Sequence, residues 1–187
     1  METVVLIVVV VAILAVLLGI YNSLIGKRNQ ADKAFASVDV MLKKRYDLIP
    51  NLVATVEQYM QHEHDLLTEL TELRSRALEG DITPAQRAAT EQQIGSALGR
   101  LMVAVENYPD LKASQNFLQL QASLNEIEEQ ISAARRAYNA AATNLNNAVQ
   151  MFPGNLLAGL MSIQCRALFE ASAAERQNVD VRNLFQR

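Results

Sequence analysis

Residues that form turns and disulfides are scarce in this sequence of 187 residues. It has seven glycines, four prolines, one cysteine and no tryptophan, and aromatic residues make up 5% of the chain. A sandwich or barrel of many short strands needs more turn residues than this, so the composition favours an all-α fold. The single cysteine, Cys165, excludes an intrachain disulfide, and we expect it to be a small buried apolar residue.

Positive charge is not in excess either. Seventeen lysines and arginines stand against twenty aspartates and glutamates, which gives a net charge of −3. Binding to nucleic acid usually needs a basic face on the protein. We therefore expect no nucleic-acid partner.

The sequence contains none of the common catalytic or cofactor-binding motifs. It has no glycine-rich phosphate loop, no Gly-x-Ser-x-Gly motif, and no cysteine and histidine at a catalytic spacing. His62 and His64 are two residues apart and would face different sides of a helix, whereas paired zinc-binding histidines are four apart. We expect no metal, no cofactor and no enzymatic activity, with an unrecognised hydrolase as the least favoured alternative.

A long apolar segment occupies the N-terminus. Residues 4–20 contain no charged or polar side chain, and the apolar character extends to Ile25. At about 1.5 Å per residue, such a helix covers the roughly 30 Å hydrocarbon core of a bilayer. We predict that residues 1–25 form a transmembrane anchor in membrane lipid. A cleaved signal peptide is the alternative, but it would need a basic start, a shorter apolar run and a small-x-small cleavage site.

Basic residues are absent before this segment and frequent after it. They are Lys27, Arg28, Lys33, Lys43, Lys44 and Arg45. Because basic flanks stay in the cytoplasm, we predict a single-pass protein with its N-terminus outside and the remainder in the cytoplasm. Residues 43–45 could also meet acidic lipid headgroups, but on an upright helix they would stand about 27 Å from the surface. This distance favours a topological role or a solvated surface.

Residues 26–174 are predicted to form an elongated, antiparallel bundle of three to four long helices. Across residues 35–77, apolar residues recur every three or four positions, and only Arg45 and Glu63 interrupt this seam. The pattern predicts a first long helix that ends near Leu78. Short loops between successive helices favour antiparallel neighbours.

Proline positions mark the limits of the next elements. Pro50 lies inside the first seam, and because the apolar repeat continues across it we predict a kinked but continuous helix. A break at Ile49 is the alternative. Residues 83–86, Thr-Pro-Ala-Gln, form a capping box that predicts a second helix over residues 84–107. Pro109 would stop that helix.

Two further helices follow in the pattern. Residues 114–152 carry an entirely apolar seam and predict a third helix on the order of 55 Å long. Residues 155–173 are more apolar still and predict a fourth helix, which would either close the bundle or pack on a partner or a membrane surface. Residues 175–187 are mostly polar and are expected to be a loosely ordered tail.

Several motifs, in this order along the chain, resemble those of the LemA family. The matching residues are 21–24 (YNSL), 28–29 (RN), 45–53 (RYDLIPNLV), 106–113 (ENYPDLKA), Phe117, 134–139 (ARRAYN), Asn144 and 152–153 (FP). Together they cover nearly the whole chain up to about residue 170. The resemblance implies a bacterial single-pass protein of the inner membrane with a helical bundle and no established enzymatic activity. It also implies two kinds of association, with an HtpX-type membrane metalloprotease or, in one branch, with magnetosome membrane formation.

The resemblance supplies no catalytic residues, but it indicates candidate positions for docking or for structural corners. They are Tyr46, Asp47, Pro50, Asn51, Tyr108, Pro109, Asp110, Tyr138 and Asn139. The leading hypothesis is a non-enzymatic, membrane-anchored scaffold or adaptor that engages protein partners. The alternative is a homo-oligomeric protein that shapes or organises membranes.

Overall fold

A computed structural model of the chain describes residues 1–79 and 84–169. All regular secondary structure in these two ranges is helical, which confirms the predicted all-α class. The helices are α1 (Glu2–Glu57), α2 (His64–Leu78), α3 (Pro84–Val105), α4 (Pro109–Lys112), α5 (Gln115–Gln150) and α6 (Gly154–Leu160). The antiparallel order of the bundle stays a prediction.

The chain divides into two compact units. The first unit comprises residues 1–41 and 130–169, and the second unit comprises the described part of residues 42–129. The long helices α1 and α5 each contribute residues to both units. The predicted tail, residues 175–187, lies outside the described residues.

The apolar N-terminal segment is the first third of α1. This helix is long and apolar enough to cross a membrane. No residue in its most apolar stretch of 18 consecutive residues is buried. Burial begins at Leu24, which is 1% exposed, and continues with Ala31. The apolar surface up to Gly19 is therefore exposed, Ile20 packs partly against the core, and from Leu24 onwards the helix contributes buried residues to a protein core.

The prediction of one helix from residue 35 to Leu78 is wrong at its C-terminal half. The helix does continue through Pro50, as predicted, but α1 ends at Glu57 and α2 starts only at His64. At the break Met60 is 1% exposed, whereas Tyr59, which the seam placed inside, is 41% exposed. The apolar repeat is thus interrupted at this break, where polar residues outnumber apolar ones. Glu63 directly precedes the new helix.

The second unit has its core between α1, α2, α3 and the start of α5. The sequence predicts an apolar stripe of Ile94, Leu98, Leu101, Val105 and Tyr108; the first four are buried in α3, whereas Tyr108 lies beyond the end of the helix and is half-buried. The helix α2 packs against α3. The predicted capping box spans residues 83–86. The side chains at positions 83–85 are not among those that the structure describes.

The first unit is built around close contact between α1, α5 and α6. Its core contains Leu24, Ala31, Ala141, Leu145, Ala158 and Ile163. The alanines of the predicted α5 seam allow this close approach. Gly154 is required at the start of α6, because a Cβ there would lie 2.2 Å from the carbonyl oxygen of Ala148.

The prediction of a fourth long helix over residues 155–173 is wrong. The helix α6 ends at Leu160, Ser162 has a positive φ of 53°, and residues 163–169 are not helical. Side chains of α5 bind the backbone of this last segment, and these tertiary contacts override its helical pattern. Cys165 belongs to this segment and is exposed, so the expectation that it is buried is also wrong. Residues 170–173 lie outside the described residues.

We predict that Gly154→Ala lowers the free energy of unfolding by about 1–3 kcal/mol, because the new methyl group overlaps the Ala148 carbonyl. Chemical unfolding of the full chain in mild detergent, followed by circular dichroism, measures the change. Gly159→Ala in the same helix is the control, since a Cβ at residue 159 meets nothing within 4 Å. It should leave stability unchanged or raise it by up to about 1 kcal/mol. Equal effects of the two changes would contradict the predicted clash.

Candidate functional site

The motif RYDLIPNLV divides into a buried and an exposed face of α1. Arg45, Tyr46 and Ile49 are 3%, 5% and 0% exposed, respectively. The candidate residues Asp47, Pro50 and Asn51 are exposed and share one side of the helix, since they are three and four residues apart. We call these three residues the exposed motif face. One motif therefore combines a structural role with a surface that a partner can reach.

The buried face carries a polar network in the second unit. The guanidinium of Arg45 bonds the carboxylate of Glu91 through one amino group, and it donates to Oε1 of Glu128 at 2.7 Å through the other. The hydroxyl of Tyr46 donates to the second oxygen of Glu91. Arg74 adds a bond from its Nε to the Tyr46 carbonyl oxygen at 2.9 Å. The network thus joins α1, α2, α3 and α5.

Burial makes the Arg45–Glu91 ion pair the critical part of this network. Their side chains are 3% and 6% exposed, whereas that of Glu128 is 46% exposed. A buried charge that loses its partner is strongly destabilising, so each of the two residues requires the other. Desolvation by burial, reinforced by the hydrogen bond to Glu91, raises the pKa of Tyr46 above its ordinary value. Tyr46 is therefore neutral throughout the physiological pH range.

The exposed motif face offers polar groups to a partner. Lys43 Nζ lies 3.0 Å from Asp47 Oδ2, one turn away, and both side chains are more than half exposed. Such a surface pair contributes little to stability. The side chain of Asn51 is exposed. The backbone carbonyl oxygen of Asn51 accepts a hydrogen bond from the Thr55 hydroxyl at 2.8 Å. These side chains are therefore available for intermolecular hydrogen bonds.

The second candidate motif, Tyr108-Pro109-Asp110, is a helix start. The helix α3 has already ended at Val105, Tyr108 is half-buried, and Pro109 occupies the first turn of α4. Asp110 is exposed in that turn, where its charge suits the helix dipole. Leu111 is 0% exposed and fixes α4 to the core. This motif positions a single helical turn.

The third candidate pair, Tyr138 and Asn139, lies in the first unit. The hydroxyl of Tyr138 donates to the Ala167 carbonyl oxygen at 2.9 Å. Its ring contacts Phe35 and Phe169, with centroids 5.5 and 5.2 Å away. Burial raises the pKa of Tyr138. The Asn139 amide bonds the backbone of Phe169, so both residues hold the segment that follows α6.

The two histidines are surface residues. His62 lies in the turn after α1 and His64 is the first residue of α2, and both are exposed. Within the part of the chain that the structure describes, no three histidine, cysteine, aspartate or glutamate side chains come together as a metal site.

Sequence reasoning missed the Arg45–Glu91 pair, although the pattern contained a sign of it. Arg45 interrupts the seam of α1, and Glu91 extends the stripe of Ile94 and Leu98 by one step of three residues. Two opposite charges in two buried stripes are expected to pair. The position of Glu128 beside the α5 seam gave no such indication.

We predict that Glu91→Gln lowers the free energy of unfolding by about 3 kcal/mol, because it leaves the buried Arg45 charge with only the half-exposed carboxylate of Glu128. The matched change Glu128→Gln should cost less than about 1 kcal/mol, since that carboxylate is half in solvent. Chemical unfolding of both full-length variants compares them. A larger loss for Glu128→Gln would show that burial does not decide the strength of this network.

The raised pKa of Tyr46 predicts a specific loss of stability in alkali. Unfolded tyrosine ionises near the ordinary pKa of 10.0, whereas folded Tyr46 keeps its proton to a higher pH. The folded state therefore binds more protons above about pH 10, and its stability falls as the pH rises. Tyr46→Phe should weaken this fall between pH 9 and 11, as followed by thermal unfolding. Unchanged pH dependence in the variant would contradict it.

Comparison with known proteins gives matches along most of the chain. A model of the LemA family matches residues 34–182. Protein LemA of Metamycoplasma hominis is 30% identical over 90% of this chain and 77% of its own length. Magnetosome protein MamQ 2 of Paramagnetospirillum magneticum is 27% identical, over 95% of this chain and 74% of its own. Magnetosome protein MamQ of Magnetospirillum gryphiswaldense is 24% identical, over 94% and 74%.

None of these names denotes an enzyme. The family match includes the buried network of Arg45 and Glu91, the exposed motif face and the segment held by Asn139. The motifs from residue 45 onwards thus lie inside a match over most of the chain, and this chain belongs to the LemA family.

Proposed function

We propose that this chain is a non-enzymatic scaffold or adaptor, anchored in a membrane, that engages protein partners there. The observation that carries the proposal is α1. Its residues 1–19 are exposed, and nearly all of them are apolar, while from Leu24 the same helix belongs to a protein core. An exposed apolar helix is stable in lipid, because its backbone hydrogen bonds are satisfied within the helix. Residues 1–25 would be the anchor and residues 26–174 the part that binds partners.

The proposed location is the inner membrane of a bacterial cell. The N-terminus would lie outside and the helical units in the cytoplasm, because all basic residues near the anchor follow it. The bacterial relatives support this location. Lipid would contact residues 1–25, and proteins would contact the surface of the helical units.

The exposed motif face is the proposed partner surface. Asp47, Pro50 and Asn51 are accessible, and the buried half of the same motif holds their helix in place through the ion pair of Arg45. Docking residues need such a rigid support. On the family resemblance, we include an HtpX-type membrane metalloprotease among the proposed partners.

Site-specific photo-crosslinking in native membranes tests the partner surface. With the photoreactive residue at position 51, we expect adducts with a second protein. With it at position 92, an exposed site on α3, we expect few or none. An antibody against an HtpX-type protease checks that partner. If neither variant forms an adduct with another protein, the scaffold proposal is contradicted.

Cys165 allows a direct test of orientation, since it is exposed and is the one cysteine in the sequence. A membrane-impermeant thiol reagent should label it in inverted membrane vesicles and leave it unlabelled in intact spheroplasts. The control, Thr3→Cys combined with Cys165→Ser, should show the opposite pattern, since residue 3 would lie outside. Labelling of Cys165 in spheroplasts would overturn the proposed orientation. Loss of residue 3 from the mature chain would indicate a cleaved signal peptide.

A second candidate function is homo-oligomeric organisation of a membrane. The magnetosome proteins among the relatives favour it, because an organelle-associated function in one branch suggests work on membranes. The crosslinking experiment separates the two candidates. Adducts of two identical chains would support self-assembly, whereas adducts with other proteins alone would contradict it.

A further inference from the structure

Two asparagines of α5 bind the backbone of residues 166–169 in the same way. The amide of Asn146 donates to the Arg166 carbonyl oxygen at 2.9 Å and accepts from the Arg166 N–H at 2.7 Å. The amide of Asn139 makes the same two bonds with Phe169, both at 2.9 Å. Each amide therefore satisfies both backbone groups of one residue, as a neighbouring β-strand would do.

The spacing of these asparagines fits an extended peptide. They are seven residues apart on the helix, which is about 10.5 Å along its axis. Their partners are three residues apart, which is about 10 Å in an extended chain. The two lengths agree, and the segment runs antiparallel to α5. A helix face with this spacing recognises an extended backbone whatever most of its side chains are.

Two side chains of the segment are recognised in addition. Arg166 donates to Asp32 of α1 at 2.9 Å. The ring of Phe169 packs against Phe35 and Tyr138, and the Arg135 guanidinium lies 5.4 Å from its centroid. The site therefore fits an extended peptide with an arginine three residues before an aromatic residue. We call it the peptide groove, and it consists of Asp32, Phe35, Tyr138, Asn139 and Asn146.

The connection that delivers the segment to the groove is short and strained. Ser162 has a φ of 53°, which residues other than glycine, asparagine and aspartate rarely adopt. Residues 164–168 are all exposed, so the segment is held by its backbone bonds, by Phe169 and by two exposed side-chain contacts, Arg166 with Asp32 and Cys165 with Gln150. Short strained hinges favour exchange of a segment between identical chains, because the released segment finds the same contacts in its neighbour.

We propose that the peptide groove of one copy binds residues 164–169 of a second copy, so that exchange of this segment links copies of the chain. The inference deepens the proposed function by naming a site of self-interaction. It rests on the proposed anchoring, because confinement to a membrane raises the effective concentration of neighbouring copies. Exchange replaces each contact in the folded chain by an identical contact between chains.

The contact between Gln150 and Cys165 provides the test, since Gln150 Nε2 lies 3.5 Å from Cys165 Sγ. An acceptor chain carries Gln150→Cys and Cys165→Ser, and a donor chain keeps its natural Cys165 and a different tag. Both are expressed together, and their membranes are treated with a short bis-maleimide crosslinker. We expect a product that carries both tags. A chain that carries both Gln150→Cys and the natural Cys165 should form an intramolecular crosslink. This crosslink would show that the peptide groove is folded and occupied by the chain's own segment.

Phe169→Ala separates exchange from random collision. In the donor it weakens the incoming segment and should lower the mixed product by about fivefold or more. In the acceptor it weakens the competing internal segment and should raise the mixed product. Absence of a mixed product, or a mixed product that responds to neither change, would overturn the inference. The photo-crosslinking at position 51 and the labelling of Cys165 test the proposed function in separate experiments. A failure of the present inference therefore leaves the proposed function intact.

Discussion

Burial of apolar helix surface is the constraint on which this structure depends. Water excludes the apolar side chains along the whole of α1, but protein begins to cover them only at Ile20, and the first fully buried one is Leu24. Beyond that residue, the remaining helices supply the cover, through alanine contacts in the first unit and through larger aliphatic residues in the second. Before it, a helix with satisfied backbone bonds and an apolar surface is compatible with lipid. One helix thus carries two surfaces suited to different surroundings, and the proposed anchoring in a membrane rests on that.

Within the second unit, charge decides which helix faces meet. An apolar stripe can pack against another in several alignments at similar free energy, whereas an arginine in the core is stable only opposite its carboxylate. Arg45 and Glu91 therefore favour one alignment of α1 with α3, and Tyr46 adds a second bond to the same carboxylate. This explains why the motif of residues 45–53 begins with Arg45, which interrupts an otherwise apolar seam. It also explains how Asp47 and Asn51 come to lie on a rigid surface.

The sequence was a good guide where periodicity alone determines structure. The seam of α5 and the stripe of α3 were both predicted, because apolar residues repeated every three or four positions indicate which face of a helix is buried. Prediction failed where tertiary contacts compete with local pattern. The turn near Met60 has no glycine or proline, and the segment after α6 is apolar enough to be helical. Its conformation depends on Asn139 and Asn146, which are distant in sequence; Asn139 was a candidate residue without a predicted contact, and Asn146 gave no signal in the pattern. The motifs indicated the candidate residues but not which of them are buried.

The two asparagines of α5 bind the backbone of the segment that follows α6, so the path of this segment depends little on most of its side chains. Backbone groups of Arg166 and Phe169 make the four amide bonds, while the side chains at positions 164, 165, 167 and 168 face solvent. Substitutions at those four positions leave the geometry of the segment intact. Many different side chains at those four positions are therefore compatible with the same backbone path, so the shape of this stretch is constrained more strictly than its residue identities.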